Sequence, residues 1–309
     1  MAGGVARLNH AVDSYLAVRR AAGFELRVSE SLLRLFAAFA SRRGETHVQA
    51  QSAVAWAAEA PSPYQRKWRL QVVRIFARHA HAEDERHEIP PGNVFCPRRQ
   101  PYVPFRFSLE QGHQLLQQAA RLTPTGSLRP WTYTTLLSLL AVTGLRISEA
   151  LALRFSDVTP DGLQIRETKF RKSRLVPLHP STSVGLDRYL QRRRRVGGAD
   201  DHVFISLRGG ALRYPTVNAT FRALIRDGGF PLGLGGSRPR VHDLRHHFAA
   251  RVLQACPCDR QRASQHMLAL ATYMGHARLA STYWYLHATP HLLEDIADAC
   301  ERFLKGDRS

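Results

Sequence analysis

The chain has 309 residues, 44% of them hydrophobic, a length and composition that suit a globular protein of two domains. It contains no apolar run of the roughly 18 residues that a membrane span needs and no apolar signal core, which favours a cytoplasmic location. The 44 lysines and arginines outnumber the 25 acidic residues and give a formal charge of +19. This surplus lies along the whole chain, and it predicts a nucleic acid partner and association with the bacterial nucleoid.

Cysteines and lysines are both few. Four scattered cysteines argue against a disulfide framework or a zinc site, so we expect no metal and no cofactor. Only four of the basic residues are lysines, against forty arginines. Because lysine can release a proton and arginine cannot, Lys169 and Lys172 are candidates for proton transfer.

Residues 1–90 have the apolar spacing of helices, one of them with Ser29 as its candidate N-cap. The last of these helices is amphipathic, with a predicted apolar stripe and a basic surface. The stripe consists of Trp68, Val72, Ile75 and Phe76, and the candidate DNA contacts are Arg66, Lys67, Arg69 and Arg74. A solvated basic surface without a partner is the alternative.

Residues 91–107 are rich in proline and arginine and lack a period, as in an interdomain linker. A second domain, 108–309, combines helices with two short strands, "GLQIRE" and "RLVPL", joined by a basic turn. It ends in an acidic amphipathic helix over 290–305, which packs either on its own chain or, as an oligomerisation helix, on a neighbouring copy. The predicted fold class is therefore mainly α with a small β-hairpin (α+β).

Three clusters in this domain contain reactive residue types. "TGLRISEALAL" places Arg146 in a turn between two apolar helices, where its fork suits a phosphate. "VHDLRHHFAARVL" places His242 and Arg245 three residues apart on one helical face. "GHARLASTYWYLH" contains His276 and two tyrosines. Taken separately, each cluster has a structural explanation: a capping arginine, a hydrogen-bonded histidine, a packed aromatic ring.

The fixed order of these clusters resembles the tyrosine recombinase (phage integrase) family. "TGLRISEAL" and "HDLRHHFA" are close to the signatures of that family, and the resemblance covers residues 108–305. Residues 1–90 resemble more loosely its helical, SAM-like core-binding domain. The resemblance implies a site-specific DNA recombinase or integrase of a mobile element.

The resemblance also implies a role for each matching residue. Two arginines would clamp the scissile phosphate while an acidic residue orients the first of them, and two histidines and a lysine would complete the set. Spacing from His276 selects Tyr285 as the nucleophile over Tyr283, and spacing to Pro177 selects Lys169 over Lys172, which is left as a DNA contact. In chain order the expected set is Arg146, Glu149, Lys169, His242, Arg245, His276 and Tyr285.

The implied chemistry is cleavage and rejoining of DNA through a 3′-phosphotyrosyl intermediate. The sequence contains no Gly-x-x-x-x-Gly-Lys loop and no clear carboxylate cluster, in keeping with a reaction that needs neither ATP nor metal. The expected partners are double-stranded DNA, further copies of the chain in a tetramer on paired sites, and co-recombinases or accessory proteins. Two alternatives remain: a non-catalytic DNA-binding accessory protein and a type IB topoisomerase.

Overall fold

A computed structural model describes residues 2–97, 103–166, 173–196, 200–233, 236–255 and 260–275. The chain divides into two compact units, with the boundary between residues 101 and 102. Helices dominate both units, and the second also contains a small antiparallel sheet, so the predicted fold class is confirmed. Among the described residues, no helix is both long enough and apolar enough to cross a membrane.

The first unit is a bundle of four helices around one apolar core. Each helix contributes a large buried side chain, for example Leu16, Phe36, Trp56 and Phe76. The fourth helix begins at a capped end, where the Ser62 hydroxyl accepts the N–H of the third helical residue. The helices are α1 (Ala2–Ala21), α2 (Arg27–Arg42), α3 (Ala50–Ala58) and α4 (Pro63–Glu83).

Two predictions for this unit are wrong. Ser29 is not an N-cap, because α2 already begins at Arg27 after Leu26, whose left-handed φ of 50° reverses the chain earlier. The predicted stripe on α4 is rotated: Trp68 and Ile75 are 45% and 43% exposed. The buried face of α4 instead combines Val72 and Phe76 with four positions outside the predicted stripe. They are Leu70, Val73, Ala77 and Ala80, and they pack in the core with residues of α1, α2 and α3.

The segment predicted as a linker, 91–107, packs at both of its described ends. Phe95 lies against the core of the first unit. Phe105 and Phe107 are buried in the core of the second unit, with ring centroids 4.8 Å apart. Apolar burial therefore anchors each end of this proline-rich segment to the unit beside it.

The second unit contains seven described helices, a 3-10 turn and three strands. The strands form one antiparallel sheet in the order β1-β2-β3, with Leu163 opposite Val176, which confirms the predicted hairpin pair. The core lies between this sheet and the helices. In chain order the elements are α5 (Leu109–Ala120), α6 (Leu128–Thr143), α7 (Ile147–Ala152), the 3-10 turn (Phe155–Asp157), β1 (Val158–Thr159), β2 (Gly162–Ile165), β3 (Arg174–Val176), α8 (Pro180–Val196), α9 (Tyr214–Asp227), α10 (Val241–Gln254) and α11 (Arg260–Tyr273).

The end of α6 positions the first of the reactive clusters. The helix stops at Gly144, because this residue takes the left-handed conformation with φ 61° that favours glycine. A Cβ at Gly144 would lie 2.3 Å from Cδ1 of Phe248 on α10, so α6 and α10 approach closely here. The α6–α7 turn and α10 are thereby held side by side.

Candidate active site

Arg146 is held in place at the α6–α7 turn by Glu149. Its backbone N–H donates to Glu149 Oε2 at 2.9 Å, and its Nη1 donates to Oε1 at 2.7 Å. Arg146 is the N-cap of α7, so the negative carboxylate lies in the first helical turn, where the helix dipole favours it. The Arg146 side chain remains 30% exposed, and part of its guanidinium is therefore accessible to a ligand.

Arg245 on α10 approaches the same turn from the protein interior. It is 3% exposed, and its Nη1 donates to the backbone carbonyl of Gly144. Its Nη2 donates to the carbonyl of Met274 at 2.8 Å. Burial with directional hydrogen bonds fixes the orientation of this guanidinium, as preorganised stabilisation of an anion requires.

A third arginine, Arg174 at the start of β3, completes the cluster and was not among the predicted site residues. Its Nη1 and Nη2 donate to the two oxygens of Glu149 at 3.1 and 2.7 Å, a bidentate pair. Its Nε donates to the carbonyl of Tyr273 at 2.9 Å. Sequence alone gave no signal for this role, because only the fold brings β3 beside Glu149.

The three arginines converge on the C-terminal end of α11. The carbonyls of Tyr273, Met274 and Gly275 accept one N–H each, from Arg174, Arg245 and Arg146 respectively. The last carbonyls of a helix lack partners within it and carry partial negative charge, so guanidinium groups stabilise them. This network fixes the backbone up to the residue directly before His276.

Gly275 makes this convergence sterically feasible. Its φ of 64° is left-handed, and a Cβ there would lie 2.9 Å from Nη1 of Arg174 and 3.5 Å from Nη1 of Arg146. A side chain here would therefore push against the Arg174 guanidinium and touch that of Arg146. The Gly-His pair noted in the sequence thus has a structural reason for its glycine.

Glu149 stays ionised although it is buried. Burial by itself would raise its pKa, but hydrogen bonds from the Arg174 side chain and from the backbone and side chain of Arg146 outweigh it and leave the pKa below the ordinary 4.5. The carboxylate therefore carries a full negative charge between two arginines at neutral pH.

His242 lies one helical turn before Arg245, near the start of α10. Its side chain reaches solvent, yet desolvation lowers its pKa below 6.5, and the positive charges of Arg245 and Arg146 lower it further. The ring contacts His246 edge-on, with centroids 4.6 Å apart. His242 is therefore neutral at pH 7 and can accept a proton.

The described residues thus bring together Arg146, Glu149, His242 and Arg245, four of the seven predicted catalytic or supporting residues. The other three, Lys169, His276 and Tyr285, lie outside the described residues, as do Lys172, Tyr283 and the predicted helix over 290–305. Their roles stay predictions. What the cluster can do chemically is bind and polarise one anionic oxyacid group, with a neutral imidazole beside it.

The four candidate DNA contacts on α4 differ in their surroundings. Lys67 is exposed. The other three are half-buried and each donates to a backbone carbonyl of the same unit: Arg66 to Ala60, Arg69 to Trp56 and Arg74 to Pro90. A guanidinium has five N–H donors, so these bonds leave others for a phosphate.

Two clusters among the described residues have histidine and aspartate atoms close enough to consider a metal, but their hydrogen bonds do not suit one. In the first, His47, Asp84 and His87, the Nδ1 of His87 accepts the N–H of Val48. The neutral ring then carries its proton on Nε2 and has no free lone pair there. In the second, over 200–202, both oxygens of Asp200 already accept backbone N–H groups.

Comparison with known proteins identifies the family of the chain. The model of the phage integrase family matches residues 106–291, more than half of the chain. An integrase/recombinase of Sinorhizobium fredii, y4rB, is 38% identical over 94% of this chain and 96% of its own length. The tyrosine recombinase XerD of Brucella abortus is 28% identical over 78% of this chain and 77% of its own length.

Solved structures show the same fold at low identity. The Tn1549 transposon integrase in complex with transposon right end DNA superposes with a TM-score of 0.67 at 17% identity, over 95% of this chain and 99% of that one. A lambda integrase dimer bound to a core site gives a TM-score of 0.62 at 18% identity, over 90% and 76% of the two chains.

The arginine cluster, the neutral histidine and the fold define an enzyme that acts on phosphodiesters. The chain belongs to the phage integrase family, the tyrosine recombinases. It is a site-specific recombinase/integrase that cleaves and rejoins DNA strands, and the phosphotyrosyl intermediate is general to that family.

Proposed function

We propose that this chain exchanges DNA strands between two duplex sites of a mobile element through a 3′-phosphotyrosyl link to Tyr285. The convergence of Arg146 and Arg245 on Gly275 and Met274, the two residues preceding His276, supports this proposal most directly. Two guanidinium groups and a histidine then surround one phosphate, whose nonbridging oxygens gain charge during attack.

The proton transfers follow from the chemistry of the remaining groups. The phenol oxygen of Tyr285 attacks phosphorus while neutral His242 takes the phenolic proton. The bond to the 5′ oxygen breaks, and Lys169 protonates the departing oxygen, a task for which arginine holds its proton too firmly. A 5′ hydroxyl of the partner strand reverses these steps, so the phosphodiester energy is conserved and no ATP is consumed.

For DNA binding and assembly of this chain, the proposal is based on solved structures of similar proteins. The solved lambda integrase has been seen as a dimer bound to a core site and as a tetramer bound to a Holliday junction. For this chain we propose a tetramer on paired sites, with duplex contacts from α4 and from Lys172, and with the helix over 290–305 joining neighbouring copies. Co-recombinases or accessory proteins and nucleoid association belong to the same proposal.

One plasmid substrate distinguishes recombination from the two alternative functions, relaxation by a topoisomerase and DNA binding without catalysis. A duplex selected from a random-sequence pool by its binding to the protein is placed twice in a supercoiled plasmid. Strand exchange yields recombinant circles or catenanes, which supports the proposal. Relaxation without exchanged products supports a type IB topoisomerase, and binding without any change of topology supports a non-catalytic accessory protein.

The pH dependence of cleavage tests the role of His242. Because the base must be neutral and its pKa is lowered, the decline of the rate toward acidic pH is centred below pH 6.5. Single-turnover cleavage of a nicked duplex measures this profile. In His242→Gln the rate falls and the acidic decline is lost; a decline centred at or above pH 6.5, or one unchanged in the variant, contradicts the assignment.

Substitutions of Lys67 and Arg69 distinguish the loss of a DNA contact from a loss of stability. Lys67→Ala leaves the melting temperature unchanged and reduces the slope of log affinity against log salt by about 0.9, the loss of one phosphate contact. Arg69→Ala also lowers the melting temperature, because Arg69 lies 4.9 Å over the Trp56 ring and donates to its carbonyl. Lys67→Arg is the matched control and keeps the slope; an unchanged slope in Lys67→Ala rules out the contact.

A further inference from the structure

Arg174 has a set of contacts that the proposed reaction does not use. Its three nitrogens donate to both oxygens of Glu149 and to the carbonyl of Tyr273, and its side chain is 14% exposed. Every nitrogen is therefore oriented within the protein, in contrast to Arg146, which is 30% exposed. Arg174 therefore acts on the site through Glu149 and the end of α11.

The charge of Glu149 explains why such a support is needed. Glu149 orients Arg146, but a carboxylate with one cationic partner would cancel the charge that Arg146 offers to a phosphate. Arg174 supplies a second positive charge through a bidentate pair and neutralises the carboxylate. The three arginines and Glu149 then keep two net positive charges for a phosphodiester that approaches two negative charges during attack.

Arg174 also connects the hairpin to the end of α11. Its Nε bond to the Tyr273 carbonyl lies two residues before Gly275, whose carbonyl binds Arg146. Arg174 also lies close to Gly275, because a Cβ on that glycine would be 2.9 Å from Arg174 Nη1. One side chain thus couples β3, α7 and the chain that leads to His276.

We propose that Arg174 is a positioning residue that keeps the charge of Arg146 available to the scissile phosphate and holds the turn before His276. This inference rests on the proposed function, because it assigns a task within the same strand cleavage. As a positioning residue Arg174 acts through Glu149 and the end of α11, so we expect its removal to slow cleavage without weakening binding.

The test compares cleavage rates on two nicked duplexes of the selected sequence. One carries an ordinary scissile phosphodiester, and the other carries a neutral methylphosphonate at that position. Single-turnover adduct formation at saturating DNA is measured for wild type, Arg174→Gln, Arg174→Lys and the control Arg154→Gln. The control removes an exposed arginine of the same unit whose side chain pairs with Asp201 rather than with Glu149.

On the phosphodiester we expect Arg174→Gln to be about 10 to 100 times slower, with the dissociation constant within about threefold of wild type. Arg174→Lys recovers part of the rate, because it restores the charge but not three directional bonds. On the methylphosphonate we expect Arg174→Gln to be slower than wild type by about threefold or less. This neutral substrate gains less negative charge during attack, so less of it has to be stabilised by Arg146. Arg154→Gln matches wild type on both.

Two results overturn the inference. Equal losses on the two substrates indicate a merely structural role, and an Arg174→Gln rate equal to wild type indicates no role. If Arg174→Gln does not fold, the double variant Arg174→Gln/Glu149→Gln, which removes the buried charge pair together, takes its place and is compared with Glu149→Gln. Because that background has no carboxylate to neutralise, the two rates are expected to agree within about threefold on the phosphodiester, and a double variant more than about tenfold slower than Glu149→Gln overturns the inference. A wild type that forms no adduct at all overturns the proposed function instead.

Discussion

Replacing Arg245 with glutamine is expected to slow strand cleavage by about 100- to 1,000-fold, the usual effect of removing one preorganised donor from a transition state. Arg245 is buried and its guanidinium is fixed by the carbonyls of Gly144 and Met274, so no flexible neighbour can replace it. The rate of covalent adduct formation at saturating DNA is the quantity to measure.

Stability must be followed in the same experiment. Arg245→Gln leaves two buried carbonyls with one donor fewer each, at a cost of about 1 to 3 kcal/mol per group. The matched control is Arg251→Gln on the exposed side of the same helix, which should cleave at the wild-type rate. An Arg245→Gln protein that is folded and cleaves within threefold of wild type would show that Arg245 does not bind the phosphate.

Gly144→Ala is expected to reduce the free energy of unfolding by about 2 to 4 kcal/mol, through backbone strain and overpacking. The residue has φ 61°, and its new Cβ would lie 2.3 Å from the ring of Phe248. That ring stacks on Tyr273 at 5.6 Å between centroids, so the displacement also reaches the end of α11. Urea denaturation measures the stability, and adduct formation measures the consequence for the site.

Gly209→Ala provides the comparison for Gly144→Ala. Gly209 has φ 83° in the same unit, but its Cβ would meet no atom within 4 Å. This substitution therefore isolates the left-handed strain, about 1 to 2 kcal/mol. If the two substitutions destabilise the protein equally, the contact between α6 and Phe248 is not what makes Gly144 necessary.

Local signals in the sequence predicted the parts of the fold that local interactions decide. The turn between α6 and α7 and the two strands of the hairpin follow from turn chemistry and alternation. The buried face of α4 was missed, because two overlapping stripes of apolar residues satisfy the same helical period. Packing against the other three helices selects one of them.

The residues of the candidate site also fall into those that the sequence predicts and one that only the fold reveals. Arg146, His242 and Arg245 stand in motifs whose spacing is visible in the chain. Arg174 stands 25 residues after Glu149 and 99 residues before Tyr273, and no periodicity relates these positions. Its role depends on tertiary geometry and on the energetic need of a buried carboxylate for a second partner.

Covalent trapping on a nicked duplex of the selected sequence tests the central claim, that Tyr285 attacks the scissile phosphate without a metal. Wild type, Tyr285→Phe and Tyr283→Phe are incubated with EDTA and separated under denaturing conditions. The account predicts a protein–DNA adduct with wild type and Tyr283→Phe and none with Tyr285→Phe. An adduct that persists in Tyr285→Phe, or that EDTA abolishes in wild type, would contradict it.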